Sequence, residues 1–202
     1  MRMASSTDET EPLSQREHDG ELVRRVAAGD KEASRALVDR HLRSIVSFAY
    51  RMLGDVAEAE DVAQETFLRL WKNADRWEPR AKLTTWLHHV ARNLCVDRLR
   101  SRRKVAAGEV PDHADSRPGA STQLESRQRD RAVQEALSEL AERQRAAIAL
   151  VYYQGLSNRE AADVLGVDVD ALESLLARGR RALRKRLAGD GETMPGERET
   201  RS

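Results

Sequence analysis

Residues 83–104 read LTTWLHHVARNLCVDRLRSRRK, and this stretch decides the fold class. Leu83, Trp86, Leu87, Val90, Ala91, Leu94, Cys95 and Leu99 recur at three- and four-residue steps, the period of a helix that lays one stripe on a core. The other face carries His88, His89, Arg92, Asn93, Asp97, Arg98 and Arg100, and the chain runs on into Arg102, Arg103 and Lys104. An apolar stripe fixes which way such cations point, so the face suits a polyanion. An ordinary solvated surface satisfies the same pattern, and the stretch alone leaves both readings open.

Upstream, residues 56–77 read VAEAEDVAQETFLRLWKNADRW. Val62, Phe67, Leu70 and Trp71 share an inward face, with Glu58, Asp61, Gln64, Glu65 and Leu68 elsewhere. Carboxylates near a helix N-terminus are favoured by about 0.3–1 kcal/mol each through the macrodipole. Here they continue past the first turn, which also fits docking of a basic partner. Before this helix, residues 20–28 and a helix capped by Asp30 and stopped at Gly54 complete the pattern, the latter with Leu37, Leu42, Ile45, Val46, Ala49 and Met52 on its stripe. Residues 78–80 break into a loop. Four helices over residues 20–104 therefore predict a first bundle, preceded by a disordered leader over residues 1–19.

Downstream, residues 105–130 turn to Gly, Pro, Ser, Asp and Ala, with Pro111 and Pro118 excluding a long helix, and read as a flexible linker. Helical periodicity returns at Arg131 and runs to Gly155. Ser157 with Glu160 forms a capping box for a short helix, Gly166 turns the chain, and Asp168 caps a last helix. That helix turns Val169, Leu172, Leu176 and Leu183 inward and Arg178, Arg180, Arg181, Arg184, Lys185 and Arg186 outward. A short capped helix, a glycine turn and a longer basic helix make a helix-turn-helix over residues 131–188. Residues 189–202 form a polar tail expected to be disordered.

The composition agrees with an all-α chain of two small helical domains. Aromatics are only 4% and charged residues 34% of 202 residues, so the cores must be built from Leu, Val, Ala and Ile. With 35 Lys+Arg against 34 Asp+Glu the net charge is +1, so the distribution of charge matters more than its sum. The single cysteine, Cys95, excludes a disulfide framework and fits a reducing compartment. No apolar run reaches membrane-spanning length and the N-terminus lacks a signal-peptide core, so a cytoplasmic protein is expected.

Two segments together carry a family resemblance. Residues 59–72, AEDVAQETFLRLWK, followed by residues 84–104, TTWLHHVARNLCVDRLRSRRK, resemble the second region of bacterial sigma-70-family factors of the extracytoplasmic-function type. Residues 137–187, LSELAERQRAAIALVYYQGLSNREAADVLGVDVDALESLLARGRRALRKRL, resemble their fourth region. The order and spacing of the two also match.

The resemblance implies a sigma factor with sigma region 2 at residues 20–104 and sigma region 4 at residues 131–188. It implies contacts to core RNA polymerase through Glu60, Asp61, Gln64, Glu65 and Leu68, with Phe67 and Trp71 as support, although helical spacing reads those two aromatics as core. It places the promoter −10 element on Arg80, Lys82, Arg92, Asn93, Arg98, Arg100 and Arg103, with the loop over residues 75–82 accepting an extruded base. The −35 element falls to Asp170, Ala171, Glu173, Ser174, Arg178 and Arg181. This acidic start departs from the threonine and basic residues common in the family, though a carboxylate such as Glu173 can accept a hydrogen bond from a cytosine amino group. The implied partners are core polymerase, promoter DNA and an anti-sigma factor, with membrane contact only through a membrane-bound anti-sigma factor. No cofactor is implied.

Other function classes fit less well. The chain holds neither a P-loop nor a dinucleotide-binding glycine pattern, and no Ser-His-Asp set can be assembled, so an enzyme is not expected. His88 and His89 are adjacent on a helix and diverge, so a zinc site with Cys95 is not expected either. A stand-alone helix-turn-helix regulator is the alternative, but it leaves the acidic helix before the Arg-rich helix without a role.

Overall fold

A computed structural model of the chain describes residues 15–77, 82–106 and 124–189. The first domain comprises α1 (Gln15–Ala27), α2 (Lys31–Leu53), α3 (Val56–Asn73) with a 3-10 turn at Ala74–Arg76, and α4 (Leu83–Ala106). The second comprises α5 (Leu124–Ser138), α6 (Glu142–Ile148) running into a π segment at Ala149–Tyr153, α7 (Asn158–Leu165) and α8 (Val169–Gly189). The described residues form no strand.

Local chemistry sets the helix ends. The Asp30 carboxylate accepts from the Glu32 and Ala33 amides, Asp55 from Glu58, and Asp168 from Ala171. The Ser157–Glu160 capping box is formed in both directions. Gly54 closes α2 with φ 74°, a left-handed turn that lets its amide return to the Tyr50 carbonyl at 2.8 Å. Leu37, Ile45, Phe48, Met52, Val62, Phe67, Leu70, Leu83, Leu87 and Cys95 fill the first core. Leu137, Ile148, Leu150, Leu165, Leu172 and Leu176 fill the second, and the two cores merge into one apolar cluster. The second domain therefore packs on the first, with α2 touching α5 and α6 and α4 touching α7.

Several boundaries differ from the expected ones. Helix α1 begins at Gln15, inside the expected leader, and its Asp19 is a buried partner of Arg40 and of His41 (Nε2 to Oδ2, 3.1 Å). Burial opposes charge on Asp19, but the bonds from His41 and Arg40 outweigh it and hold its carboxyl below the ordinary range. At the other junction α4 continues to Ala106 and α5 starts at Leu124, so both enter the expected linker. The run from Arg131 to Gly155 is two helices, broken at residues 139–141 where the Leu140 amide turns back to Leu137. Residues 1–14, 107–123 and 190–202, which hold most of the expected leader, linker and tail, lie outside the described residues.

Four side chains also depart from their expected faces. Leu42, Trp71 and Val169, expected inward, are each 39% exposed. His88, expected on the outer face of α4, is buried against the edge of the Phe48 ring, with Nδ1 2.8 Å from the Thr84 carbonyl oxygen. Its pKa is lowered chiefly by that burial. The reason is that α2 brings Phe48 and Ser44 against position 88, at the margin of the face that α4 lays on the first core. Burial likewise pushes the Cys95 thiol up to about 12, so it stays protonated as a core residue.

The domains are joined by polar bonds as well. The last four carbonyls of α2 all have partners, and beyond the Gly54 amide on Tyr50 these are side chains: Gln134 Nε2 reaches Tyr50 and Arg51 (3.1 and 3.3 Å), Arg145 Nη1 reaches Met52 (2.6 Å), and Arg102 Nη1 reaches Leu53 (3.0 Å). Arg145 also donates to the Ser138 and Leu140 carbonyls, so one buried guanidinium closes the α5–α6 turn and docks it on α2. Arg145→Ala is expected to lower stability by about 2–3 kcal/mol, since a charged donor to buried carbonyls is lost. Arg145→Lys should recover less than half of that, because an ammonium cannot fork between them. Urea unfolding midpoints at constant m value measure both.

Glu160 gives a pH prediction. Burial raises its carboxyl, but hydrogen bonds from Lys82 and Ser157 outweigh it and leave the pKa at about 2, against an ordinary 4.5. Its contribution is therefore complete above 4.5 and fades as pH falls from 4.5 towards about 2. Urea midpoints of the parent chain and Glu160→Gln should converge as the pH is lowered through that window.

Candidate polymerase and nucleic-acid interface

Helix α3 buries Ala59, Val62, Ala63, Thr66, Phe67 and Leu70, and the other side faces out by helical geometry. Glu60, Asp61 and Gln64 are exposed, and Glu65 and Leu68 are half-buried on the same face. The exposed Trp71 adds an aromatic surface next to Phe67, ring centres 6.4 Å apart. Of the two aromatics, only Phe67 is core. Glu65 already accepts from Arg69 at 2.8 Å, which holds its carboxyl below the ordinary range. The result is an acidic patch with an apolar edge, a surface able to pair guanidinium groups while excluding water from part of the contact.

The cationic face of α4 divides into three groups. Arg98 and Arg102 work inside the first domain. Arg98 Nη1 donates to the Glu58 carbonyl (3.0 Å) and lies 3.7 Å from Asp61, and Arg102 pairs with the Glu58 carboxylate at 2.7 Å. Together they tie α4 to the start of α3 and the end of α2. Lys82 and Arg92 meet acids of the second domain, Glu160 at 2.8 Å and Glu142 at 3.4 Å. Arg92 also donates to the half-buried Asn93 at 3.0 Å. Arg100 and Arg103 stand exposed near the end of α4. Arg80 and half of the expected base-accepting loop, residues 78–81, lie outside the described residues.

In the helix-turn-helix, α8 is seated on α6 by Leu172, Leu176 and Gly179, where a β-carbon on Gly179 would come within 3.1 Å of Ile148. That close seat turns the other side of α8 outward. Asp170, Glu173, Ser174, Arg178 and Arg181 are exposed along one face, with Ala171 half-buried. Asn158 Nδ2 lies 3.4 Å from Glu173, and Arg178 Nε donates to the Ser174 carbonyl (3.1 Å). The structure thus brings these six residues to one helix face.

Sequence reasoning missed the residues that join the two domains: Ser44, Gln134, Glu142, Arg145 and Gln154. Gln154 accepts from Ser44 Oγ at 2.7 Å and donates to Ser47 Oγ at 3.3 Å. Each is a polar residue on a helix or its end, where local pattern predicts solvent, so no local signal marks them. Among the described residues no group of three or more His, Cys, Asp or Glu gathers in a metal-binding arrangement, and no helix is long and apolar enough to cross a membrane.

Comparison with known proteins matches this arrangement. Residues 37–105 match the family model of sigma-70 region 2, and residues 130–183 match that of sigma-70 region 4. The chain is 32% identical over 185 residues to the ECF RNA polymerase sigma factor SigW of Bacillus subtilis, covering 82% of this chain and 94% of that protein. It is 33% identical over 169 residues to the ECF RNA polymerase sigma factor SigL of Mycobacterium tuberculosis, covering 83% and 96%. Among solved structures, CnrH in complex with the cytosolic domain of CnrY aligns with a TM-score of 0.64 at 26% identity, covering 85% of this chain and 98% of that one. The sigma factor RpoE of Bartonella quintana, in complex with the anti-sigma factor NepR, aligns with a TM-score of 0.62 at 26% identity, covering 77% and 97%. With both sigma regions in order and identity above 30% across most of its length, the chain belongs to the ECF RNA polymerase sigma factors of the sigma-70 family.

Proposed function

We propose that this sigma factor binds core RNA polymerase through the exposed face of α3, and meets the −10 element with α4 and the −35 element with α8. The observation that carries this reading is the acidic patch of Glu60, Asp61 and Gln64 edged by Leu68 and Trp71. A stand-alone DNA-binding regulator has no use for such a surface. Arg100 and Arg103 are the −10 cations most accessible to a phosphate, whereas Arg98 is committed first to the Glu58 carbonyl. On α8, Arg178 and Arg181 supply charge for phosphates, and Glu173 is placed to accept from a base. The likeness to CnrH bound to CnrY and to RpoE bound to NepR supports control by an anti-sigma factor. Its place of action is the cytoplasm, where polymerase and promoters meet.

Asp61→Arg is expected to abolish co-elution with core polymerase while leaving the helical circular-dichroism signal intact. Unchanged co-elution would remove α3 as the docking surface and favour the stand-alone regulator. Arg100→Ala combined with Arg103→Ala should keep core binding and weaken binding of single-stranded promoter DNA. The logarithmic salt slope should fall by about 1.4 for two lost phosphate contacts. A salt titration by fluorescence anisotropy measures it.

A further inference from the structure

Two arginines one turn apart on α4 reach back to the first turn of α3. Arg98 Nη1 donates to the Glu58 carbonyl at 3.0 Å, and Arg102 Nη2 pairs with the Glu58 carboxylate at 2.7 Å while its Nη1 donates to the Leu53 carbonyl. Residues 58 and 61 share one side of α3, so the guanidinium anchored on the Glu58 carbonyl also lies 3.7 Å from Asp61. At that separation the contact is an ion pair and not a hydrogen bond, which leaves the Asp61 oxygens free to accept from a second cation. Exposure divides the pair, with the Asp61 side chain 66% accessible and the Arg98 side chain 30%. The carboxylate faces out, and the cation lies beneath it against the body of the first domain.

Arg98 is also turned away from the cations open to DNA. Each helical residue turns by about 100°, which sets Arg100 about 160° and Arg103 about 140° around α4 from Arg98, and only about 60° from each other. A strand held on Arg100 and Arg103, which stand exposed, runs along a side of α4 that Arg98 does not share.

We infer that Arg98 is a positioning residue for polymerase docking and not a promoter contact, given the docking role proposed for α3: anchored on the Glu58 carbonyl, it aims the Asp61 carboxylate at an incoming guanidinium. Ordering an exposed side chain before the encounter strengthens binding by about two- to tenfold. Arg98 also repels the incoming cation, but about 6–7 Å away in water at physiological salt this is worth less than about twofold. Orientation therefore outweighs repulsion.

The test measures affinity of the full chain for core polymerase by biolayer interferometry. Arg98→Met keeps the aliphatic stem and removes the charge with both contacts. Arg98→Lys keeps the charge, and Asp61→Asn keeps the shape of the acid. Arg98→Met is expected to weaken core binding about fivefold and Arg98→Lys about twofold. In an Asp61→Asn background, Arg98→Met should add less than about twofold, because a residue that acts through Asp61 has nothing left to orient. The logarithmic salt slope for single-stranded DNA of random sequence should not change with Arg98→Met, whereas a lost phosphate contact lowers it by about 0.7.

Three results overturn the inference. One is a core affinity of Arg98→Met equal to that of the parent chain. Another is a loss just as large in the Asp61→Asn background, which marks a purely structural role. The third is a fall in the salt slope, which marks a promoter contact. Asp61→Asn alone separates this failure from that of the docking role. If it weakens core binding and Arg98→Met does not, only the positioning role falls. If it leaves core binding unchanged, α3 is not the docking surface and the positioning role falls with it.

Discussion

The carbonyl end of α2 is the constraint on which the rest of the structure depends. The Gly54 amide meets the Tyr50 oxygen, but three backbone oxygens, Arg51 to Leu53, leave the helix without backbone partners, and burying them unpaired costs about 1–3 kcal/mol each. The chain meets them from three directions: Arg102 of α4, Gln134 of α5 and Arg145 of α6. One helix end thereby fixes the far end of α4 and the docking of the second domain. The negative end of the α2 dipole favours the cations gathered there. Burial lowers the pKa of Arg145, with Arg103 adding to the effect, yet a guanidinium stays charged at neutral pH.

Charge is used twice in this molecule. The run of arginines on α4 looks uniform, yet packing gives its members different work. Arg98 and Arg102 hold α3, Lys82 and Arg92 face carboxylates of the second domain, and Arg100 and Arg103 remain at the surface. The acids divide similarly. Glu58 is a structural partner of Arg102, whereas Glu60 and Asp61 stay on the exposed patch. The proposed function needs such division, because it asks one small domain to present an anionic face to polymerase and a cationic face to DNA without folding one onto the other.

Much of the fold was legible because helix signals are local. Gly54, Asp55, Ser157 with Glu160, Gly166 and Asp168 all mark helix ends where the sequence pattern put them. The break at residues 139–141 carries no glycine or proline, and its one local mark is the six-residue gap from Leu140 to Ala146, which is out of step with helical spacing. Three-dimensional closure by Arg145 makes the turn. His88 misled for a different reason: it lies at the margin of the apolar stripe, where Phe48 and Ser44 of α2 close over it. Trp71 and Val169 misled in the opposite sense, being apolar positions that a monomeric core leaves at the surface.

The sequence by itself determined the helical class, the two-domain order and the faces on which acids and cations lie, because period, caps and composition act within a few residues. The candidate positions on α3 and α8 follow from it, since a helix carries residues three and four apart on one side. Only the tertiary structure decided which cations are free and which are engaged, and that the second domain rests on the first. Those outcomes depend on backbone carbonyls and carboxylates that meet α4 from far along the chain, and such long-range pairing leaves no mark on local pattern.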